Sequence, residues 1–188
     1  RRPFPSERMK PWTVLESRYL LRRKWMNLRE EHLRLPGGAE IEEFHVLEYP
    51  DWSCVVCLAE DGRVVMVEQY RRAIERGSLE LPAGVLEPGE APLAGAQREL
   101  LEETGYIAGE WTSLGRCAPE PSRHTNYAHL YFARGARCVA GQRLDASEEL
   151  HVRLVEPAEV LRMADAGEIV HGIHVLALLA AARQGLIP

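Results

Sequence analysis

From Thr13 to Tyr49 the chain reads TVLESRYLLRRKWMNLREEHLRLPGGAEIEEFHVLEY, a rough alternation of apolar and charged positions rich in β-branched and aromatic residues. A Gly37-Gly38 pair separates two strand-like arms, so a small antiparallel meander is expected. Asp51-Trp52 then leads into the apolar run SCVVCLAE, an Asp61-Gly62 turn and VVMVEQYR. Asp-Gly between two apolar runs predicts a hairpin. LELPAG reads as a further short strand, followed by a helix with Pro92 in its first turn and Gly105 just past its end. Leu93, Ala94, Leu100 and Leu101 supply the apolar side of that helix. Strands follow around SLGRCA and AHLYFA. The polar segment GQRLDASEE separates them from LHVRLV, and two helices close the chain near PAEVLRMADAG and HGIHVLALLAAARQG. Strands interspersed with three helices predict an α/β arrangement with helices packed on a mixed sheet. Two regions are expected, an N-terminal strand unit over 1–50 and a larger domain over 51–188.

Composition narrows the class. With 46% hydrophobic and 27% charged residues the 188-residue chain has the balance of a soluble globular protein. A net charge of −5 argues against a general binder of nucleic acid or anionic membrane. The best apolar run, VLALLAAA at 175–182, is far short of a membrane span and reads as a buried helix. RRPFPSERMK has charges but no apolar core, so no secretory signal is expected there. The chain does not open on Met, which reads as a trimmed or partial sequence. A cytoplasmic location is expected. Cys54-x-x-Cys57 has the spacing of a redox or half-zinc motif, but it sits in a strand-like run, where residues three apart point to opposite faces. No partner pair follows at zinc-ribbon spacing, and Cys54, Cys57, Cys117 and Cys138 are expected to be structural thiols.

The segment RELLEETGY concentrates negative charge. On a wheel turning about 100° per residue, Glu103 lies about +40° and Glu102 about −60° from Glu99, all within one arc of about 100°. Like charges at such spacings repel, and no Lys or Arg follows four residues later. A solvated acidic face is one reading. A hard divalent cation such as Mg²⁺, which takes oxygen ligands, is the other. Gly84, Glu90, Arg98, Glu99, Glu102, Glu103 and Gly105 fit Gly-x5-Glu-x7-Arg-Glu-U-x-Glu-Glu-x-Gly-U, with Leu100 and Tyr106 at the bulky positions. This stretch resembles the Nudix box at every specified position. Seven fixed identities coincide by chance on the order of once in 10⁸ to 10⁹ starts.

The resemblance implies a Nudix α/β/α sandwich with a mixed sheet, preceded by a small N-terminal β meander. It also implies a hydrolase of nucleoside diphosphates linked to another moiety, using Mg²⁺ or Mn²⁺. By it, Glu99 and Glu103 are the principal metal ligands, Glu102 assists, and the backbone carbonyl of Ala83 completes the site. Arg98 and Glu90 form an orienting pair. The added N-terminal strands, the lead-in EQYR (Glu68 to Arg71) and LELPAG, and Pro121 sixteen residues beyond Gly105 are similar to the ADP-ribose pyrophosphatase group. Such enzymes build a homodimer through that N-terminal unit and cleave ADP-ribose to AMP and ribose 5-phosphate. Another nucleotide sugar, such as GDP-mannose, or a dinucleotide is the alternative substrate. A non-cleaving ligand sensor is the alternative class, and the complete set of box glutamates counts against it.

Around the box several readings stay open. Arg71 and Arg72 are phosphate clamps or solvated strand-end charges. Glu80 touches metal, a ribose hydroxyl or only a packing edge. Trp25 or Trp52 stacks on adenine, or serves core or interface. The group's catalytic base comes from a late acidic loop, here Leu144 to Glu149, with Ala146 standing where one family glutamate would be. Glu148 is the first candidate, then Glu149 and Asp145, with a box glutamate or a merely solvated loop as the alternatives. His124, with Ser122 and Arg123, is a weaker candidate for ribose contact. His129, His171 and His174 lack a third nearby ligand in the sequence and are not expected to bind metal.

Overall fold

The structure, a computed structural model, describes residues 9–187. Most of RRPFPSERMK, where no secretory signal is expected, lies outside them. Among the described residues no helix is long and apolar enough to cross a membrane. The chain divides into two compact units. The first comprises the described residues up to Pro50 together with Glu120–Asn126, and the second comprises Asp51–Pro119 and the chain from Tyr127 onward.

In the first unit β1 (Thr13–Arg22), β2 (Asn27–Arg34) and β3 (Glu40–Glu48) form an antiparallel meander in the order β1-β2-β3. Gly38, at φ +92°, closes the β2–β3 turn in a backbone region that favours glycine. Opposite charges sit across the strands, including Arg18 with Glu30 and Arg34 with Glu40. The late segment joins by backbone bonds, with Leu47 N–H donating to Arg123 O at 2.9 Å and Thr125 N–H to Leu47 O at 3.1 Å. That return from seventy residues downstream has no signature in the apolar pattern.

The second unit is built on β4 (Trp52–Ala59), β5 (Val64–Arg71), β6 (Arg76–Glu80), β7 (Ala83–Val85), β8 (Tyr106–Ile107), β9 (Glu110–Cys117), β10 (Ala128–Cys138) and β11 (Leu150–Val155). Its main order is β11-β5-β4-β10-β8, with β6 on β5, β7 on β4 and β9 on β10. β10 runs parallel to β4 and the other pairs are antiparallel, so the sheet is mixed. Helix α1 (Pro92–Thr104) covers one face, where Ala96 and Leu100 meet Val55, Val65 and Ala133. Helices α2 (Pro157–Asp165) and α3 (Gly172–Arg183) cover the other, where Val160, Ala177 and Leu178 meet Val56, Met66 and Phe132. Cys54 and Cys57 belong to opposite faces, both buried and free. Burial pushes the Cys57 thiol up to about 12, which leaves it inert.

Two local expectations are corrected. LELPAG is two strands, because Pro82 has no N–H for a ladder and the chain changes partner there, from β5 to β4. The buried side of α1 is formed by Gly95, Ala96, Leu100, Glu103 and Thr104, while Leu93 is exposed. Small residues let the helix approach the sheet closely, and this turns Glu103 inward.

Gly105 ends α1 at φ +74°, its N–H bonding Leu101 O at 2.8 Å. A Cβ there would stand 2.0 Å from the backbone oxygen of Ala140. Gly105→Ala is therefore expected to lower the free energy of urea unfolding by about 1–3 kcal/mol; a value within error of wild type would show that this helix end tolerates a side chain.

Candidate active site

Arg98, Glu99 and Glu103 of helix α1 lie against β7 and the segment that follows it, and Glu102 joins them through Arg98. Arg98 is the hub of the outer acids. Its Nε and Nη2 donate to the two carboxylate oxygens of Glu90, each at 2.9 Å, and Nη2 also reaches Val85 O at 3.0 Å. Its Nη1 donates to Glu99 at 2.7 Å and to Glu102 at 2.9 Å. The expectation of unrelieved repulsion is thus corrected. The relieving cation precedes Glu102 by four residues and Glu99 by one, rather than following them. Paired with Arg98, Glu90 sits below the usual carboxylate range.

Glu103 is different. It is 5% exposed, and the bond that holds it comes from backbone, with Ala83 N–H donating to Oε2 at 2.9 Å. Burial, with Glu99 and Glu148 nearby, pushes its carboxyl up to about 8 against the pull of that N–H. Burial, together with Glu102 and Glu148, also raises Glu99, against the pull of Arg98. Next to Ala83, Gly84 passes so close to Glu99 that a Cβ would lie 2.0 Å from its carboxyl carbon. Glycine at this position is what leaves the Glu99 carboxylate room against the loop.

The segment after β10 closes over the same region. Gln142 Nε2 donates to Glu103 O at 2.7 Å and to Leu150 O at 3.2 Å, and Arg143 N–H donates to Glu102 O at 2.8 Å. These anchors have no signal in the sequence, since both bind main-chain oxygens. Asp145 and Glu148 then form a tight turn, each N–H meeting an oxygen of the other at 2.9 Å. A cavity of about 400 Å³ results, lined among others by Arg71, Ala83, Glu103, Glu148 and Glu149.

The remaining candidates divide. Arg71 grips Glu80 with two bonds, Nε to Oε1 at 2.8 Å and Nη2 to Oε2 at 2.6 Å, and Glu80 is 1% exposed. Glu80 is therefore a buried, paired anion, held below its usual range by Arg71 against the opposing effect of burial. Arg72 bonds Glu75 and does not line the cavity. Trp52 packs edge-on against His171 and at a tilt against His174, and it too does not line the cavity. Trp25 belongs to the first unit, exposed, with the Lys24 ammonium 4.2 Å over its ring. His129 bonds Asp51 at 2.8 Å, while His124 packs on Tyr49 within the first unit. Among the described residues, the donor atoms of Glu30, Glu43 and His45 also lie within 4.8 Å of one another, with Arg18 already paired to Glu30.

The donor chemistry suits a hard cation. The carboxylates of Glu99 and Glu103 crowd the Ala83–Gly84 backbone, and Glu103 is a buried acid held by a neutral N–H, leaving charge to be balanced.

Known proteins agree with this architecture. Residues 49–173 match the NUDIX domain, and residues 12–47 match the nucleoside diphosphate sugar hydrolase N-terminal domain. The chain belongs to the Nudix family and is a Nudix pyrophosphatase. It is 31% identical over 147 residues to an ADP-ribose pyrophosphatase of Bacillus subtilis (strain 168), covering 78% of this chain and 79% of that protein. To an ADP-ribose pyrophosphatase of Mycobacterium tuberculosis (strain ATCC 25618 / H37Rv) it is 34% identical over 155 residues, covering 81% and 74%. The crystal structure of an ADP compounds hydrolase shares the fold at a TM-score of 0.81 and 19% identity, over 94% of this chain and 95% of that one.

A carboxyl raised from 4.5 to about 8 binds its proton in the folded state where the unfolded chain has lost it. Metal-free stability should therefore fall as pH rises from about 4.5 to 8. Glu103→Gln is expected to flatten that slope and to add on the order of 1–3 kcal/mol at pH 8 in chelator. Urea unfolding at pH 5 and pH 8 reads this, and an unchanged slope would mean that Glu103 is stabilised as an anion.

Proposed function

We propose that this enzyme hydrolyses ADP-ribose to AMP and ribose 5-phosphate with Mg²⁺ as its cofactor, Mn²⁺ substituting. The observation that carries the reading is the convergence of Glu103, Ala83 and Glu148 around one polar cavity, with Glu99 against the adjoining Gly84, in a chain whose relatives include two ADP-ribose pyrophosphatases. Glu99, Glu102 and Glu103, with the Ala83 carbonyl, supply the oxygens that hold the metal. A bound divalent ion offsets the charge of the diphosphate and acidifies a water.

The chain's own groups do the rest. Arg98 keeps Glu99 and Glu102 on one side of the site, and its bond to Glu90 keeps Arg98 itself in place. Glu148 accepts the proton of the attacking water. Glu148 lines the cavity, and its loop is tethered at Gln142 and Arg143. Glu149 lines the same cavity and is the second candidate for the base, whereas Asp145 does not line it. Water adds to one phosphorus, the bridging P–O bond breaks, and the proton passes to the carboxylate. Arg71 faces the cavity, with Nε and Nη2 spent on Glu80, so its Nη1 is the group offered to a phosphate oxygen. Arg72, Trp25 and Trp52 carry no substrate role in this reading.

The first unit serves as the dimerisation element. β1 is an edge strand and exposes Val14, Leu15, Tyr19 and Leu20, with Trp12 just before it, an apolar set that a second copy would cover. All four cysteines are free, as suits a cytoplasmic enzyme.

Incubation with ADP-ribose, GDP-mannose and a dinucleotide, each with Mg²⁺, Mn²⁺ or chelator, tests the assignment. AMP from ADP-ribose with metal alone is expected. Glu148→Gln should lower kcat by about 10²–10⁴-fold. Preference for another substrate would move the enzyme to a different nucleotide sugar, and full activity in chelator would remove the metal. Sedimentation should give a dimer for wild type and a shift toward monomer for Leu20→Glu; a wild-type monomer would remove β1 as an interface.

A further inference from the structure

Helix α3 is almost wholly apolar, yet it buries one imidazole against the sheet. His174 is 1% exposed, and its Nδ1 accepts the N–H of Leu81 at 3.2 Å. That nitrogen therefore offers a lone pair, and the ring proton of the neutral form belongs to Nε2. Nε2 is buried without a hydrogen-bond partner. An unsatisfied buried N–H costs free energy that a leucine of similar size would not. Packing alone does not account for histidine here. What the ring supplies is an acceptor for one particular backbone N–H.

That N–H lies where no strand can bond it. Leu81 stands between β6, which pairs with β5, and β7, which pairs with β4. Around it the chain is tied at each residue to a different element. Glu80 is held by Arg71 of β5, and its Oε2 is 3.8 Å from His174 Nδ1. Pro82 O accepts Val55 N–H of β4 at 3.0 Å, and Ala83 N–H reaches Glu103 of α1 at 2.9 Å. His171 stacks on His174 with ring centroids 3.9 Å apart and an interplanar angle of 10°, and the Trp52 ring packs against both. The imidazole plane is thereby held while Nδ1 faces the loop.

We propose that His174 is a positioning residue, whose bond to Leu81 N–H holds the Glu80–Ala83 loop so that Ala83 meets Glu103 and presents its carbonyl to the metal. This rests on the reading of Ala83, Glu99 and Glu103 as the metal site. It links α3, on the opposite face of the sheet, to the chemistry on the face of α1.

The test compares wild type with H174L, H174N and E103Q. His174→Asn returns an acceptor oxygen near the position of Nδ1, whereas His174→Leu keeps bulk without an acceptor. His174→Phe, which keeps a ring but no acceptor, replaces H174L should that variant not fold. Thermal midpoints, amide hydrogen exchange at Leu81 and Ala83 in chelator, and Mn²⁺ affinity by electron paramagnetic resonance are read on each. H174L is expected to exchange at Leu81 at least about tenfold faster and to bind Mn²⁺ about 10–100-fold more weakly, the range for losing a group that orients a metal ligand. H174N is expected to recover both, even at a lowered thermal midpoint. Wild-type exchange and affinity in H174L, or H174N as impaired as H174L, overturns the proposal. Wild-type Mn²⁺ affinity no tighter than that of E103Q overturns the metal-site reading itself and takes the proposal with it, in an arm where His174 is intact.

Discussion

The close passage of the Ala83–Gly84 backbone against the carboxylates of Glu99 and Glu103 is the contact on which the arrangement of this molecule's acids depends. A side chain at 84 would occupy the space of the Glu99 carboxyl, and the Ala83 N–H is the bond that fixes Glu103. For the approach to occur, α1 must lie close on the sheet, and Gly95 and Ala96 on its buried side permit this. Turning Glu103 inward then removes it from water, which raises its proton affinity and leaves an acid whose charge has no cationic partner. In contrast, Glu99 and Glu102 share one guanidinium, itself locked to Glu90. The helix thus holds two kinds of carboxylate, one buried against backbone and two tethered to a shared cation.

Around this centre the fold divides its labour by face. α1 and the segment from Gln142 to Glu149 bring acids to one edge of the sheet, while α2 and α3 close the apolar core on the opposite face. The two are joined through the β6–β7 crossing, where Pro82 interrupts the ladder and side chains from other elements take over its hydrogen bonds. Arg71 and Glu80 show the consequence for recognition. A charge that looks free at a strand end is mostly spent inside the protein, because the buried Glu80 carboxylate requires a partner.

Much of the architecture was legible in the residues. The meander, the Asp61-Gly62 hairpin, the bounds of α1 from Pro92 to Gly105, and the two closing helices follow from local periodicity and turn chemistry, which depend on neighbours in sequence. The opposite-face burial of Cys54 and Cys57 follows from strand geometry alone. What escaped was contact at a distance. The wheel placed the three glutamates on one arc but set Leu93 rather than Gly95 and Ala96 beside Leu100 against the sheet, since leucines outweigh a glycine and an alanine in any hydropathy count. A relieving cation was expected only downstream of the acids, whereas Arg98 precedes them, and the family resemblance alone pointed to Arg98 and Glu90 as an orienting pair. Gln142 and Arg143 act on main-chain oxygens, and the return of Glu120–Asn126 to β3 is made by backbone bonds, so none of these leaves a residue pattern to read.

The sequence by itself determined the family and the charged groups of its box, because that motif needs particular residue types at particular spacings and those spacings are covalent. Only the tertiary structure decided how those groups are charged and held. Burial of Glu103, the sharing of Arg98, the capture of Arg71 by Glu80 and the support of Leu81 by His174 all depend on which segments face one another, and desolvation acts on that arrangement rather than on order along the chain.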